Sequence, residues 1–144
     1  MKKILKVILY IFIAGIAVFI LIQFVPFGRD HVNPPITSEP KWDSPQTHQL
    51  AKDHCFQCHS NETDWPWYSN IAPASWLIYK DVAEGRQRLN FSEWDKNPGQ
   101  LEEIVASIQE GEMPPIQYWL AHPNSLLSAS QKQQFIQGLQ KTFK

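Results

Sequence analysis

The sequence has few sulfur-containing residues and no excess of charge of either sign. Among 144 residues there are two cysteines and two methionines, and 13 basic side chains stand against 14 acidic ones. The near-neutral balance excludes the basic stripe that nucleic-acid binding requires. Because Met1 is the initiator, Met113 is the only internal thioether. A chain of this length is typical of one domain with short appendages.

The longest apolar run lies close to the amino terminus. Lys2, Lys3 and Lys6 accompany an apolar stretch that extends from Ile4 to Phe27. A helix of about 24 residues crosses a hydrocarbon core of about 30 Å. The positive charges on its amino side predict that this end stays in the cytoplasm and the rest is exported. Residues 1–27 are therefore predicted to be a transmembrane signal-anchor in the cytoplasmic membrane.

A cleaved signal peptide is the competing interpretation of this run. The apolar core of a signal peptide has roughly 7–15 residues and ends at a small-x-small site. Here the small-x-small triplet Gly15-Ile16-Ala17 lies in the middle of the run, which favours an uncleaved anchor. Export of the remainder, to the periplasm or outside, is expected on both interpretations.

The segment after the anchor is rich in proline. Pro34, Pro35 and Pro40 stand among polar residues, with Pro45 just beyond. Such a composition favours extended polyproline-like geometry. Residues 28–43 are therefore predicted to form a semi-rigid tether of up to about 50 Å, and residues 44–144 to form the folded domain.

Start and stop signals in residues 44–144 predict four helices. No stretch alternates convincingly enough to be a strand, so the predicted fold class is all-α. The predicted limits are Ser44 as cap to Cys55, Pro73 to Gly85, Asn97 as cap to Gly111, and a capping box of Ser128 and Gln131 that opens a helix with Phe135, Ile136, Leu139 and Phe143 on one side.

The two cysteines form a Cys-x-x-Cys-His motif, Cys55-Phe56-Gln57-Cys58-His59. Two cysteines one helical turn apart can reach the two vinyl groups of one haem, and the adjacent histidine can ligate its iron. A thioredoxin-like pair would need a βαβ setting, and a zinc site would need two further ligands. A disulfide would close too small a loop to stabilise much. The motif predicts one covalently bound haem c.

Met113 is the candidate for the sixth iron ligand. It stands in Gly111-Glu112-Met113-Pro114-Pro115, where the prolines prevent a helix from continuing and hold the loop. A methionine sulfur opposite a histidine is the ligand pair of many cytochromes c. The alternatives are a methionine that fills a gap against aromatic side chains, ligation by His122, and no sixth ligand. His31, His48 and His54 are not expected to be ligands, and His54 is expected to point away from the iron.

The chain resembles the small, membrane-anchored bacterial haem-binding-domain proteins, which are similar to class I cytochromes c. The resemblance covers roughly residues 45–142. It implies a cytochrome c-like helical domain with covalent haem held by Cys55, Cys58 and His59, and by analogy Met113 as distal ligand. The motifs that carry it are Cys55-Phe56-Gln57-Cys58-His59-Ser60-Asn61, Trp65-Pro66-Trp67-Tyr68-Ser69, Leu89-Asn90-Phe91-Ser92, Gly111-Glu112-Met113-Pro114, Tyr118, His122-Pro123 and Leu127-Ser128.

Aromatic side chains flank both candidate ligands, and each is a candidate either for the apolar wall of a haem or for ordinary core packing. Arg86 and Arg88 are candidates for pairing with haem propionates, but a solvated helix end is the favoured interpretation of both. The aromatic residues are Trp65, Trp67, Tyr68 and Trp76 after the motif, and Tyr118 and Trp119 after Met113.

One-electron transfer at the outer face of the cytoplasmic membrane is the predicted function. A haem with both axial positions occupied cannot readily bind a substrate, and no paired acid or Ser/His/Asp arrangement points to an enzyme. The expected partners are redox proteins in the periplasm or membrane, together with the bilayer. A haem-based sensor, a small-ligand (gas) binder and a weak peroxidase are the alternatives, and each needs an open or labile sixth position.

Overall fold

The computed structural model describes residues 1–144, and it is helical without strands, so the all-α prediction is confirmed. One isolated parallel bridge joins Ser38 to Glu93. Two short 3₁₀ turns, Trp67–Asn70 and Pro123–Ser125, lie between the helices. The seven helices are α1 (Lys2–Ile22), α2 (Pro45–His54), α3 (Phe56–His59), α4 (Ala74–Arg88), α5 (Leu101–Glu110), α6 (Ile116–Ala121) and α7 (Ala129–Thr142).

The chain divides into two compact units, each built from two stretches of sequence. The first unit contains residues 1–32 and 65–80, and the second contains residues 33–64 and 81–144. Helix α4 contributes its first half to one unit and its second half to the other. The functional division into anchor, tether and haem domain stays a prediction.

In the first unit, α1 has no buried residue and a mean hydropathy of 2.8 over its most apolar stretch. It is long and apolar enough to cross a membrane, although a signal sequence has the same properties. The chain that leaves α1 packs against residues 65–80, and Gln23 is hydrogen-bonded to Ala72. This unit therefore joins the apolar helix to the segment that follows the cysteine motif.

In the second unit, α2 and α5 both pack on α7. Leu50 and Ala51 of α2 lie in one apolar cluster with Phe135 and Leu139 of α7, and Ile136 packs against that cluster. The predicted contact between the first and last helices of the domain is confirmed. The remaining buried members of the core are Phe56, Leu89, Phe91, Ile108 and Leu127.

Three predicted helix ends are confirmed by their backbone geometry. Ser44 accepts a hydrogen bond from Thr47 N at the start of α2. The capping box of Ser128 and Gln131 is complete at the start of α7. Gly111 ends α5 with a φ of 76°, in the left-handed region that glycine adopts without a steric penalty. Local chemistry therefore determines these ends.

Two predicted helix ends are wrong. Asn97 does not cap α5, which begins four residues later at Leu101. Its side-chain amide donates instead to the carbonyls of Arg86 and Gln87, at 2.8 and 2.7 Å, and so satisfies the carboxyl end of α4. Gly85 does not stop α4, which continues to Arg88. Gly85 lies within the helix because a side chain there would collide with the backbone of Cys58.

Residues 33–43, the second part of the predicted tether, belong to the second unit and are hydrogen-bonded to other parts of it. Thr37 N donates to Ser92 O at 2.9 Å, and Trp94 N donates to Ser38 O at 3.2 Å. The Asn61 side chain donates to Pro35 O at 3.1 Å. The N–H and C=O groups of an extended backbone have no hydrogen-bond partners within their own segment. In residues 33–43 these groups bond instead to residues distant in sequence.

Replacing Leu139 with aspartate is expected to lower the melting temperature sharply. Leu139 has no exposed surface, so the new carboxylate would be buried without a partner, which is a severe cost. Thermal unfolding followed by circular dichroism measures the change. Gln137→Asp on the exposed side of the same helix is the matched control. An unchanged melt for Leu139→Asp would refute the packing of α7.

Candidate cofactor site

The cysteine motif occupies a sharp junction between α2 and α3. Cys55 breaks the helix there, with φ −127° and ψ −37°. Its carbonyl accepts hydrogen bonds from Cys58 N at 3.1 Å and from His59 N at 2.9 Å. One turn of chain thus carries both cysteines and the histidine. Neither cysteine is in a disulfide.

Both cysteines are held as neutral thiols. Burial raises the pKa of Cys55 to about 12, and the charge of Cys58 adds to the effect. Burial also raises the pKa of Cys58 to about 11, helped by the negative charge of Asp81 and opposed by the positive charge of Arg86. Reactive redox cysteines and metal-binding thiolates depend on a lowered pKa. This environment is therefore unsuited to a thioredoxin-like pair.

His59 is oriented by backbone carbonyls at the end of α4. Its Nδ1 lies 2.9 Å from Gly85 O and 3.2 Å from Leu89 O. A carbonyl only accepts hydrogen bonds, so Nδ1 carries the proton and donates it. Burial lowers the pKa of His59 and favours the neutral ring. The neutral tautomer leaves a lone pair on Nε2, which is what a metal ligand requires.

The close approach of α4 to the motif depends on Gly85. A Cβ on this residue would lie 2.6 Å from the Cys58 carbonyl oxygen and 3.1 Å from its carbon. Only glycine allows the helix to lie so near the Cys58 backbone. The same approach brings the Gly85 carbonyl to His59. Gly85 thereby acts as a positioning residue for the histidine.

Arg86 holds the chain that leaves the motif. Its Nε donates to Ser60 O at 2.7 Å, and Nη2 donates to Thr63 Oγ1 at 3.0 Å and to Asn33 Oδ1 at 2.8 Å. From sequence, Arg86 was interpreted either as a propionate partner or as part of a solvated helix end. Neither interpretation anticipated these hydrogen bonds. Arg88 does lie in the cavity wall.

A buried polar network ties the motif to residues 90–92. Asn61 N donates to Ser92 Oγ, and Asn90 Nδ2 donates to Asn61 Oδ1, both at 2.9 Å. Phe91 N donates to His59 O at 2.8 Å. Buried amides are costly unless paired, so this network fixes one geometry for the motif. Sequence reasoning missed it, although Asn61, Asn90 and Ser92 stand in the motifs quoted for the resemblance.

An open cleft of about 890 Å³, solvent at its mouth included, brings together the four predicted site residues. The four are Cys55, Cys58, His59 and Met113; the other lining residues are His54, Gln57, Arg88, Leu89, Phe91, Gly99, Gln100, Glu103, Ile104, Ser107, Ile108, Pro114, Pro115 and Tyr118.

Met113 lies in the loop between α5 and α6. Its backbone N–H donates to Ser107 O at 3.3 Å, beyond the left-handed turn at Gly111. The Met113–Pro114 peptide bond is cis. The side chain is 36% exposed and lines the cleft. The predicted distal ligand is thus in the same cavity as the predicted proximal one.

His54 also lies in the cavity wall, although the sequence favoured an orientation away from it. Its Nδ1 donates to Ser125 O at 2.8 Å, in the 3₁₀ turn before α7. His122 does not line the cleft, and its ring stacks on Tyr118. Tyr118 is the one aromatic candidate found in the wall. Four other candidates, Trp65, Trp67, Tyr68 and Trp76, belong to the first unit.

The donor set of the cleft fits a haem. An imidazole with a free Nε2 lone pair and a thioether in one cavity form the axial pair of His/Met haem centres. Ile104, Ile108 and Leu89 supply apolar wall, which excludes water from a macrocycle. Two neutral thiols one turn apart suit bonding to its vinyl groups.

Comparison with protein families agrees with this geometry. A family model described as a haem-binding domain matches residues 17–141. The match starts inside α1, so the resemblance drawn from sequence over residues 45–142 was too short at its amino end. No curated protein and no solved structure matches the chain. Since the family model covers most of the sequence, the chain belongs to the haem-binding domain family, and its cofactor is haem.

Proposed function

We propose that this protein carries single electrons through one haem c held outside the cytoplasmic membrane. Cys55 and Cys58 would hold the haem by two thioether bonds, His59 would be the proximal ligand, and Met113 the distal ligand. Helix α1 would anchor the chain with its amino terminus in the cytoplasm, as the lysines in its first turns favour. The partners would be redox proteins of the periplasm or membrane.

The orientation of His59 is the observation that carries the proposal. Two carbonyls at the end of α4 accept a hydrogen bond from its Nδ1–H, which leaves the Nε2 lone pair free to bind an iron. A hydrogen bond from the second ring nitrogen of a metal-bound histidine sets its orientation and its basicity. Because Met113 lines the same cleft, a second ligand is available without help from another chain.

The state of the two cysteines supports covalent attachment. A thioether forms when the S–H of a thiol adds across a vinyl group, with sulfur bonded to one carbon and the proton to the other. The addition needs no oxidant, and Cys55 and Cys58 are both free thiols, in no disulfide. Two such bonds would retain the haem in a small domain whose cleft is open to solvent.

Electron transfer, rather than catalysis, is supported by the pair of axial ligands. With His59 and Met113 both bound, the iron would have no position for a substrate. The reduction potential would then be tuned by hydrogen bonds to the ligands and by burial. We therefore propose a carrier and not an enzyme.

The exposure of Met113 favours a second candidate function. The side chain is 36% exposed and sits in a loop, so a weak iron–sulfur bond would leave the distal position accessible. The protein would then be a haem-based sensor, a small-ligand binder or a weak peroxidase. Carbon monoxide binding to the reduced protein separates the two functions, because a carrier with a firm methionine ligand binds it slowly or not at all.

Replacing Met113 with alanine is expected to abolish the weak far-red absorption band that sulfur ligation gives to ferric haem. The same change is expected to make the reduced protein bind carbon monoxide rapidly, because the sixth position opens. Ile116→Ala is the matched control, since Ile116 is an exposed apolar residue of α6 outside the cleft. A Met113→Ala spectrum identical to that of the unmodified protein would rule out sulfur ligation.

A further inference from the structure

The segment after the haem motif, residues 65–80, is fastened to the end of the apolar helix. The Gln23 side chain makes two hydrogen bonds to the backbone of Ala72. Nε2 donates to Ala72 O at 2.9 Å, and Oε1 accepts from Ala72 N at 3.0 Å. Gln23 directly follows Ile22, the last residue of α1, so the attachment lies where the apolar helix ends.

Further contacts extend this attachment along residues 27–31. A Cβ on Gly28 would lie 2.3 Å from Ser75 O, and the φ of Gly28 is 76°, so glycine is required here on both counts. The His31 ring stacks on Trp65 with centroids 4.6 Å apart. Phe27 meets Tyr79 edge to face at 5.3 Å. Residues 23–31 thus pack against residues 65–79 along most of both stretches.

The outer surface of these two packed stretches carries large apolar side chains. Trp67 is 76% exposed, Leu77 is 52% exposed, and Phe24 is 80% exposed. Trp67 rests edge to face on Tyr68, with ring centroids 5.7 Å apart. Clusters of exposed apolar residues on a protein surface mark an interaction site.

We propose that Phe24, Trp67 and Leu77 form a membrane-interface surface that lies in the headgroup region of the bilayer crossed by α1. This inference rests on the proposed anchoring by α1. Tryptophan and tyrosine are enriched where a membrane meets water, because their rings are apolar and their N–H or O–H groups stay hydrated. On this proposal, Trp67 and Leu77 of residues 65–80 contact lipid headgroups.

Continuity with α1 selects the bilayer as the occupant of this surface. The surface is joined to the helix end by Gln23, and any covering protein would have to sit at the membrane as well. Arg29 supports the choice, since its Nη2 donates to Gln23 Oε1 at 3.2 Å. That contact places a guanidinium beside the helix end, where a long basic side chain can reach the lipid headgroups. The family match also includes the end of α1 and both packed stretches.

Fluorine NMR of the full haem-loaded chain tests the proposal. The protein is labelled with 5-fluorotryptophan and placed, one chain per disc, in nanodiscs of phosphatidylethanolamine and phosphatidylglycerol. Trp67→Phe identifies the Trp67 signal by its loss, and Trp94→Phe identifies that of Trp94, which packs on Phe91 and Phe143. Each signal is compared with and without lipid spin-labelled near the headgroup, and with and without an aqueous gadolinium chelate.

The Trp67 signal is expected to lose at least half its height with spin-labelled lipid and to change little with the chelate. The Trp94 signal is expected to respond much less to the lipid label. Broadening of Trp67 by the chelate alone would overturn the proposal. Shielding from both reagents would show that protein covers the ring, and would overturn it too. Co-elution of the chain with the nanodisc reports anchoring by α1, and the Soret absorbance of the same sample reports haem binding. Failure of the surface is therefore distinguishable from failure of the proposed function.

Discussion

Replacing Gly85 with alanine is expected to lower the haem content of the protein and shift its reduction potential. In a helix interior this change would by itself stabilise by about 0.8–1.0 kcal/mol. Here the new Cβ would meet the Cys58 carbonyl oxygen at 2.6 Å. Because that oxygen belongs to the backbone, α4 and the motif must separate, and the hydrogen bond from His59 to Gly85 O would lengthen.

The consequences of Gly85→Ala would reach the iron through the histidine. A weaker hydrogen bond at Nδ1 makes the imidazole less basic, and losing such a partner of a ligating histidine alters metal affinity about 10–100-fold. Haem per polypeptide and the midpoint of a redox titration measure the effect. Gln87→Ala, on the exposed side of α4, is the matched control. Unchanged haem content together with an unchanged potential would contradict the role assigned to Gly85.

Replacing Gly138 with alanine is expected to destabilise the domain, again against helix propensity. A Cβ on Gly138 would lie 2.0 Å from Thr47 Oγ1 and 2.7 Å from its Cγ2. Threonine is β-branched and has few rotamers open to it in a helix, so α7 and α2 must move apart. Overpacking of this kind costs about 1–3 kcal/mol. In a domain of this size each kcal/mol lowers the melting temperature by roughly 4–8 °C.

A second change on the facing helix tests whether the clash is the cause. Thr47→Ala removes the two atoms nearest to the new methyl group, so the double variant is expected to recover part of the lost stability. The coupling between two touching sites is read from the double-mutant cycle. Melting temperatures of the two single variants and the double variant supply it. Strictly additive effects would show that α2 and α7 do not meet at Gly138.

Glycine shows why some helix ends were predictable from sequence and others were not. Gly85 and Gly111 were both interpreted as helix ends. Gly111 adopts a positive φ and ends its helix. Gly85 remains helical, because its lack of a side chain serves a contact with Cys58, a residue 27 positions earlier. Such a contact leaves no local signal.

The predicted helix caps also divide into those determined by local sequence and those determined by tertiary contacts. Ser44 and Ser128 bond within their own first turns, so local sequence predicted them. Asn97 has the same chemistry but satisfies the carbonyls of the preceding helix. Tertiary position decided that outcome, as it did for residues 33–43, whose hydrogen bonds reach the backbone of residues 92–94.

The candidate site was largely predictable because its chemistry is concentrated in short motifs. Cys55, Cys58 and His59 share one turn, and the sequence leaves Met113 as the sole internal thioether. The supporting groups were not predictable, since Gly85, Asn90 and Arg86 act through contacts distant in sequence. The tryptophans after the motif were also ambiguous, because aromatic content alone does not separate a haem wall from another apolar surface.

The mass of the purified full chain, produced together with haem-attachment machinery, tests the central claim most directly. If Cys55 and Cys58 are bonded to haem, the denatured polypeptide will be heavier than its sequence by one haem and will stay coloured after acid–solvent extraction. Cys55→Ser and Cys58→Ser together are expected to give colourless protein at the sequence mass after that extraction. Colourless, unshifted protein from the unmodified chain, under conditions that mature other c-type proteins, would contradict the account.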